Sequence, residues 1–325
     1  QTSDGALSDS DDISLTVNAV NDDPVNTVTT TSFTVDEDTA VSITGISVSD
    51  VDDADSVTVT LSVSDGTITV ADDVASGLVA GDIADNGTST VVLTGSVAAI
   101  NATLAGTDAV SYTGDADFNG SDTLTVQTSD GALSDSDDIS LTVNAVNDAP
   151  VVTLNPDASP ATTDNTATFT ELDGTDDGSA AVSFVTAGTS LADVDSADLA
   201  TLTVSLTDAS IESGDQLILD STTIALDDTT SNTGEVTYGS TVFEYEVTSD
   251  GTDTSVTFTS LASSGGSAAA AAKADYEALL DALEFNSTSD TFTDNSTREF
   301  SVVANDGTDD SAAATFTVTM TATND

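Results

Sequence analysis

The chain contains no histidine, no cysteine and no tryptophan, and its only cations, Lys273 and Arg298, face 58 aspartates and glutamates. Each shortage closes off a class of chemistry. Without His or Cys there is no imidazole base or thiolate for nucleophilic catalysis, nor the usual ligands for zinc. Without Cys no disulfide can staple the fold. A net charge of −56 with two cations leaves nothing to neutralise nucleic-acid phosphates and no clamp for phosphoryl transfer. Carboxylates abound for a glycosidase pair, but four tyrosines and no tryptophan offer little aromatic platform for a sugar. A non-enzymatic role is expected. Neither an initiator Met, a signal peptide nor a membrane span is present, so the sequence reads as a fragment of a longer protein.

Acidic, aromatic-poor chains are often disordered. Here 38% of the residues are hydrophobic, and they alternate with polar ones. "SVTVTLSV" (56–63), "DISLTVNAV" (from Asp12 and again from Asp138) and "ATFTVTM" (314–320) have the period of two that half-buried strands require. Gly, Asp and Asn turns between such short segments predict an all-β sandwich. A compact chain this acidic repels itself, and two cations cannot form enough internal salt bridges. Bound cations or high salt must offset the charge. Asp and Asn oxygens are hard donors suited to Ca²⁺.

The first 22 residues, "QTSDGALSDSDDISLTVNAVND", return unchanged at 127–148, an offset of 126. Self-similarity at a fixed period marks a tandem array. The organisation expected is the C-terminal hairpin of a preceding repeat (1–22), one complete repeat (23–148), and an enlarged repeat (149–325) with an insertion at about 206–272. The apolar alternation of 12–20 demands a sheet to cover it, so that strand should project or pair with another chain.

Particular acids recur at matched places. "SDVDDADSVTVTL" (49–61) aligns with "ADVDSADLATLTV" (192–204), placing Asp50, Asp52 and Asp55 opposite Asp193, Asp195 and Asp198. Early glutamates, Glu37 and Glu171, come soon after "FTV" and "FT". "VQTSDG" (126–131) parallels "VVANDG" (302–307), so Asp130 matches Asp306. "NAVND" ends at Asp22 and at Asp148, bringing Asn21 and Asn147 with it, and Pro24 and Pro150 stiffen the entry to the next strand.

In this order the motifs resemble the cadherin repeat, and more closely the cadherin-like tandem repeats of giant bacterial (RTX-type) surface adhesins. The resemblance implies tandem cadherin/Ig-like Greek-key β-sandwiches with calcium-binding linkers. It implies Ca²⁺ ligands among Asn21, Asp22, Asp50, Asp52 and Asp130 at one junction, and among Glu37, Asn147, Asp148, Asp193, Asp195 and Asp306 at the next. The middle Asp-Arg-Glu of animal cadherins is absent; "GSVAAINATLAG" (95–106) and "YEALLDALEF" (276–285) stand there, so one or two ions per junction are expected rather than three. The function implied is a calcium-rigidified extender of a secreted, extracellular adhesin in cell adhesion and biofilm. Its partners would be neighbouring repeats and a host or cell-surface protein or glycan, with no nucleic acid and no membrane insertion. Two alternatives stay open: a protein- or glycan-binding module carried by the enlarged second domain, and a filament or surface-layer subunit joined by strand exchange.

Three further features carry expectations. "DADFNGSD" (115–122) fits the start of an EF-hand loop, but Val126 stands where the bidentate Glu belongs, so a tight turn is expected. "SAAAAAKADYEALLDAL" (267–283) predicts one crossover helix, in the second domain, with Ser267 as N-cap. The insertion predicts added hairpins containing Tyr238 and Tyr245, and a local ion pair is the default for Lys273 and for Arg298.

Overall fold

The computed structural model describes every residue except 1, 4, 53–55, 157–162, 171–180, 186–187, 207–210, 213, 227–231, 250–252, 290–295 and 323–325. Asp55 and Glu171 lie outside the described residues. The chain divides into two compact units, Gln1–Val146 and Asn147–Asp325.

In the first unit a short pair, β1 (Thr2–Ser3) and β2 (Ser8–Asp9), precedes the sandwich. The sandwich itself begins with β3 (Val25–Val28), β4 (Ser32–Asp36), β5 (Ala40–Ser42), β6 (Ile46–Ser49), β7 (Val57–Ser62) and β8 (Gly66–Val70). It continues as β9 (Ile83–Ala84), β10 (Thr90–Gly95), α1 (Val97–Leu104), β11 (Val110–Gly114), β12 (Gly120–Ser129) and β13 (Ser134–Asn144). One sheet has the order β4-β13-β12-β7-β10-β9 and the facing sheet β5-β11-β8, with β3 and β6 paired separately. Alternation fixes the register. Val57, Val59 and Leu61 on β7, Leu124 and Val126 on β12, and Ile139, Leu141 and Val143 on β13 all turn into one core. Each such side chain contributes about 1.5–3 kcal/mol on burial.

The second unit repeats this plan with more strands: β14 (Val151–Thr153), β15 (Asn165–Thr170), β16 (Val182–Ser183), β17 (Ser190–Ala192), β18 (Asp198–Leu199) and β19 (Thr201–Leu206). The insertion adds β20 (Asp215–Leu219), β21 (Thr222–Ala225), β22 (Asn232–Tyr238), β23 (Thr241–Ser249), β24 (Thr254–Leu261) and β25 (Ala271–Ala272). Then come α2 (Lys273–Ala282), β26 (Leu283–Ser287), β27 (Thr297–Asn305) and β28 (Ala314–Thr321). The sheets run β15-β28-β27-β19-β24-β23-β22 and β16-β26-β20-β21. In both units the last long strand pairs in parallel with an early one, β13 with β4 and β28 with β15. The second core is aromatic: Phe184 lies 4.4 Å from Phe316 and 5.0 Å from Phe300, and Phe285 lies 5.4 Å from Phe300. The fold is all-β, two sandwiches in tandem.

Three expectations are corrected. Residues 12–20 are not a strand: β1 and β2 pair Thr2 with Asp9 and Ser3 with Ser8, and the pairing goes no further. In the second copy the partners of residues 137–143 are 120–126, a stretch the sequence holds only once. The alanine run is not helical until Lys273. Leu261 bridges Ala268 and β25 pairs with β18, so tertiary pairing overrides alanine's helix propensity, and the N-cap is Ala272, not Ser267. There is also a helix in each unit: α1 is capped by the Ser96 hydroxyl accepting the Ala99 N–H.

Of the two cations, Arg298 makes both ion pairs found among the described residues, with Asp215 at 2.7 Å and Glu212 at 3.5 Å. Lys273 donates instead to backbone carbonyls, those of Asp193 and Ser196. Residues 115–119 form a turn leading into β12, with Asp117 and Gly120 at positive φ. On β12, Asp122 is buried and accepts the N–H groups of Ser64 and Asp65 and the Tyr112 hydroxyl. Burial, reinforced by the Asp122 carboxylate, pushes the Tyr112 phenol well above its ordinary range.

Candidate metal centres

Within the first unit, five of the expected residues come together. The Asn21 amide donates to Asp130 Oδ2 at 2.7 Å, and the Asp22 N–H donates to Asp52 Oδ2 at 2.7 Å. The Asp52 N–H donates to Asp50 Oδ1 at 2.9 Å, closing the Asp-x-Asp loop on itself. Asp130 Oδ1 accepts the N–H groups of Ala132 and Leu133, both at 2.7 Å, at the turn between β12 and β13.

The second unit repeats these bonds residue for residue. Asn147 donates to Asp306 Oδ2 at 2.8 Å, the Asp148 N–H to Asp195 Oδ2 at 3.3 Å, and the Asp195 N–H to Asp193 Oδ1 at 3.3 Å. Asp306 Oδ1 accepts the N–H groups of Thr308 at 2.6 Å and Asp309 at 2.8 Å. Both clusters sit where a coil segment ending in Asn-Asp meets two loops of a sandwich, and in both the proline two residues on, Pro24 or Pro150, is buried.

One oxygen, Asp309 Oδ2, distinguishes the second cluster. The Asn147 amide also holds Asp309 Oδ2 at 3.0 Å, so one amide group serves two carboxylates. Asp193 Oδ2 is buried and has no hydrogen-bond donor among the described residues. Burial pushes the Asp193 carboxyl above its ordinary value; the Ser196 N–H opposes this, and the Asp195 carboxylate beside it reinforces it. Asp306 moves the other way. Burial would raise it, but the Asp309 N–H, the Asn147 amide and the Thr308 N–H together hold it low. Asp130 is held low chiefly by the Leu133 N–H, then by the Asn21 amide and the Ala132 N–H.

Glu37 stands apart from the first cluster. It is 3% exposed, and its carboxylate accepts the Val146 N–H at 2.6 Å and the Asn119 amide at 3.4 Å. Asp130 flanks the start of β13 and Glu37 its end, so about 35 Å separates them at a rise of about 3.3 Å per residue.

No protein-family description matches the chain. No curated protein matches it either. Solved structures do resemble it. Human protocadherin-24 EC1-2 is 12% identical, with 94% of this chain and 100% of that chain covered and a TM-score of 0.27. The titin domains z1z2 in complex with telethonin give 9% identity, 94% and 100% coverage, and a TM-score of 0.21. An endo-fucoidan hydrolase of glycoside hydrolase family 107 gives 12% identity and a TM-score of 0.23, with 93% of this chain covered, and the match spans 29% of its length. Identities and scores at this level carry no argument about this chain. Among the described residues no helix is long and apolar enough to cross a membrane.

Two participants in the second cluster escaped the sequence reading. Asp309 aligns with Leu133, so matching the repeats hides it; the only signal is the extra acid in "NDGTDD". Lys273 is 80 positions from Asp193, and only the fold brings it there.

Proposed function

We propose that the two clusters are Ca²⁺ sites and that the chain is a calcium-rigidified extender of a large secreted bacterial surface adhesin, acting in cell adhesion and biofilm. The observation that carries this reading is Asp193 Oδ2. A carboxylate oxygen shut off from water with no donor is destabilising unless a charge neutralises it, and the carboxylate of Asp195 stands beside it. These are hard oxygen donors, the chemistry Ca²⁺ takes and zinc does not. The same bonds recurring in the first unit make the arrangement a property of the repeat. Asp50, Asp52, Asp130, Asn21 and Asp22 would hold the ion there, and Asp193, Asp195, Asp306, Asp309, Asn147 and Asp148 in the second unit. Ca²⁺ binds the folded junction better than the unfolded chain, so occupancy stabilises the fold and cancels carboxylate repulsion. A string of neighbouring repeats set in this way gains reach and stiffness, which is what an extender supplies.

The test is direct binding by isothermal titration with Ca²⁺ and with Mg²⁺, for the wild type and for Asp52→Asn with Asp195→Asn. Saturable Ca²⁺ binding that exceeds Mg²⁺ binding and is lost in the double variant supports the reading. A wild type that takes up no Ca²⁺ at millimolar concentration overturns it.

A further inference from the structure

The only lysine of the chain is bonded to the backbone of the Asp193 loop. Lys273 Nζ donates to the carbonyl of Asp193 at 2.7 Å and to that of Ser196 at 2.7 Å. The carboxylate of Asp193 meanwhile accepts the Ser196 N–H at 2.8 Å and the Asp195 N–H at 3.3 Å. Residues 193–196 are therefore gripped from two sides, their amides by a carboxylate and their carbonyls by an ammonium. The Lys273 N–H also reaches the Ala197 carbonyl at 3.3 Å, and β25 pairs with β18 just beyond.

The lysine occupies a poor position by local rules. It is the first residue of α2, where a cation opposes the helix dipole, and the N-cap before it, Ala272, supplies no side-chain bond. In the first unit the corresponding helix opens with Val97 behind a bonded Ser96 cap. The two helices correspond four residues on as well. The Asn101 amide bonds both backbone groups of Val48 at 2.8 Å, and Glu277 accepts the Leu191 N–H at 2.8 Å. Val97 packs on the core and has no donor to offer a loop. Breaches of local rules concentrate where a residue serves something other than its own element.

We infer that Lys273 is a positioning residue, a resident ammonium that keeps the Asp193–Ser196 loop in its ligand-bearing shape when no metal is bound. The term ligand-bearing rests on the calcium reading; the loop clamp itself does not. An ammonium behind the loop offsets part of the carboxylate repulsion that a bound ion would otherwise cancel. It also occupies two of the loop's carbonyls. The first unit, with Val97 in this place, lacks the device, so the two clusters differ in how far their shape depends on the ion.

Amide hydrogen exchange on the whole chain, in EDTA and in saturating Ca²⁺, tests this with Lys273→Met and Lys273→Gln. In the wild type the Asp195 and Ser196 amides should keep their protection in EDTA to within about threefold, while the Asp52 amide loses more than tenfold. In Lys273→Met the Asp195 and Ser196 amides should lose more than tenfold in EDTA and regain it in Ca²⁺, with Lys273→Gln between. Unchanged protection in both variants in EDTA overturns the inference. So does a loss of equal size in EDTA and in Ca²⁺, which would make Lys273 a general stability contact. If Ca²⁺ restores nothing in any form while Lys273→Met still loosens the loop in EDTA, the calcium reading fails and the clamp stands. Far-UV circular dichroism of each variant reports whether the sandwich is intact.

Discussion

Leu15 and Leu141 occupy the same place in two identical 22-residue segments, yet Leu141 is 1% exposed and Leu15 87%. Ile13 and Val17 are likewise 85% and 92% exposed, where Ile139 and Val143 are 0% and 3%. Sequence alternation specifies which face of a strand is apolar; only a partner strand makes it a strand. β13 has β12 on one side and β4 on the other, and residues 10–18 have neither.

Leu141→Ala should therefore destabilise the first unit by about 2–5 kcal/mol, the usual range for truncating a core leucine. Leu15→Ala should leave it within about 0.5 kcal/mol. Urea denaturation followed by circular dichroism measures both. A comparable loss from Leu15→Ala would mean that residues 12–18 are covered in solution, and mass by light scattering would then identify a second copy as the cover.

Arg298 is fully buried in the second unit, and Asp215, its partner at 2.7 Å, is 1% exposed. Removing one member strands the other charge in the core, which costs about 3–5 kcal/mol. Arg298→Met should lower stability by that amount. Arg298→Met with Asp215→Leu should recover most of it, because two buried charges leave together. Tyr238, Tyr245 and Tyr276 lie in the second unit and Tyr112 alone in the first, so tyrosine fluorescence during urea unfolding follows the unit concerned. A double variant no more stable than the single would show that the pair does more than neutralise itself.

The sandwich and the matched aspartates of the two clusters, Asp309 excepted, were legible because each is a local pattern: period two for strands, and Asp-x-Asp or Asn-Asp at matched offsets. Helix α1 was missed because "VAAINATL" is short and mixed, and its one cue was Ser96. Helix α2 was read as starting six residues too early because alanine favours helix in isolation, while Ala271 and Ala272 pair with Leu199 and Asp198. The stretch 115–122 has the opening of an EF-hand loop, and only the fold shows its Asp122 gathering the donors of Ser64, Asp65 and Tyr112. Long-range partners carry no local signature.

Acidity separates the cluster residues by sign. Burial raises the Asp193 carboxyl from its ordinary 3.8, so in the metal-free protein the folded state binds that proton more tightly than the unfolded chain does. Its contribution to stability is complete below 3.8 and is lost as pH rises through the raised folded value. Asp306 is lowered, so its contribution is present above 3.8 and is lost as pH falls through its folded value. In EDTA, the stability of the wild type minus that of Asp193→Asn should rise as pH falls from neutral toward about 4. The same difference taken against Asp306→Asn should fall as pH drops below about 4. Urea midpoints across pH measure both, and slopes of one sign would contradict the assignment.

The central claim is that a cation completes the cluster around Asp193. Asparagine there keeps an acceptor for the Asp195 and Ser196 N–H groups and puts a neutral amide where the unpartnered Oδ2 lies. Urea unfolding of the second unit should accordingly cross over. In EDTA, Asp193→Asn should be as stable as the wild type or more so. At a Ca²⁺ concentration about a hundredfold above the dissociation constant the wild type should gain about 2.7 kcal/mol, and Asp193→Asn should gain much less, reversing the order. Wild type and variant keeping the same order, with stability unchanged by Ca²⁺, would contradict the account.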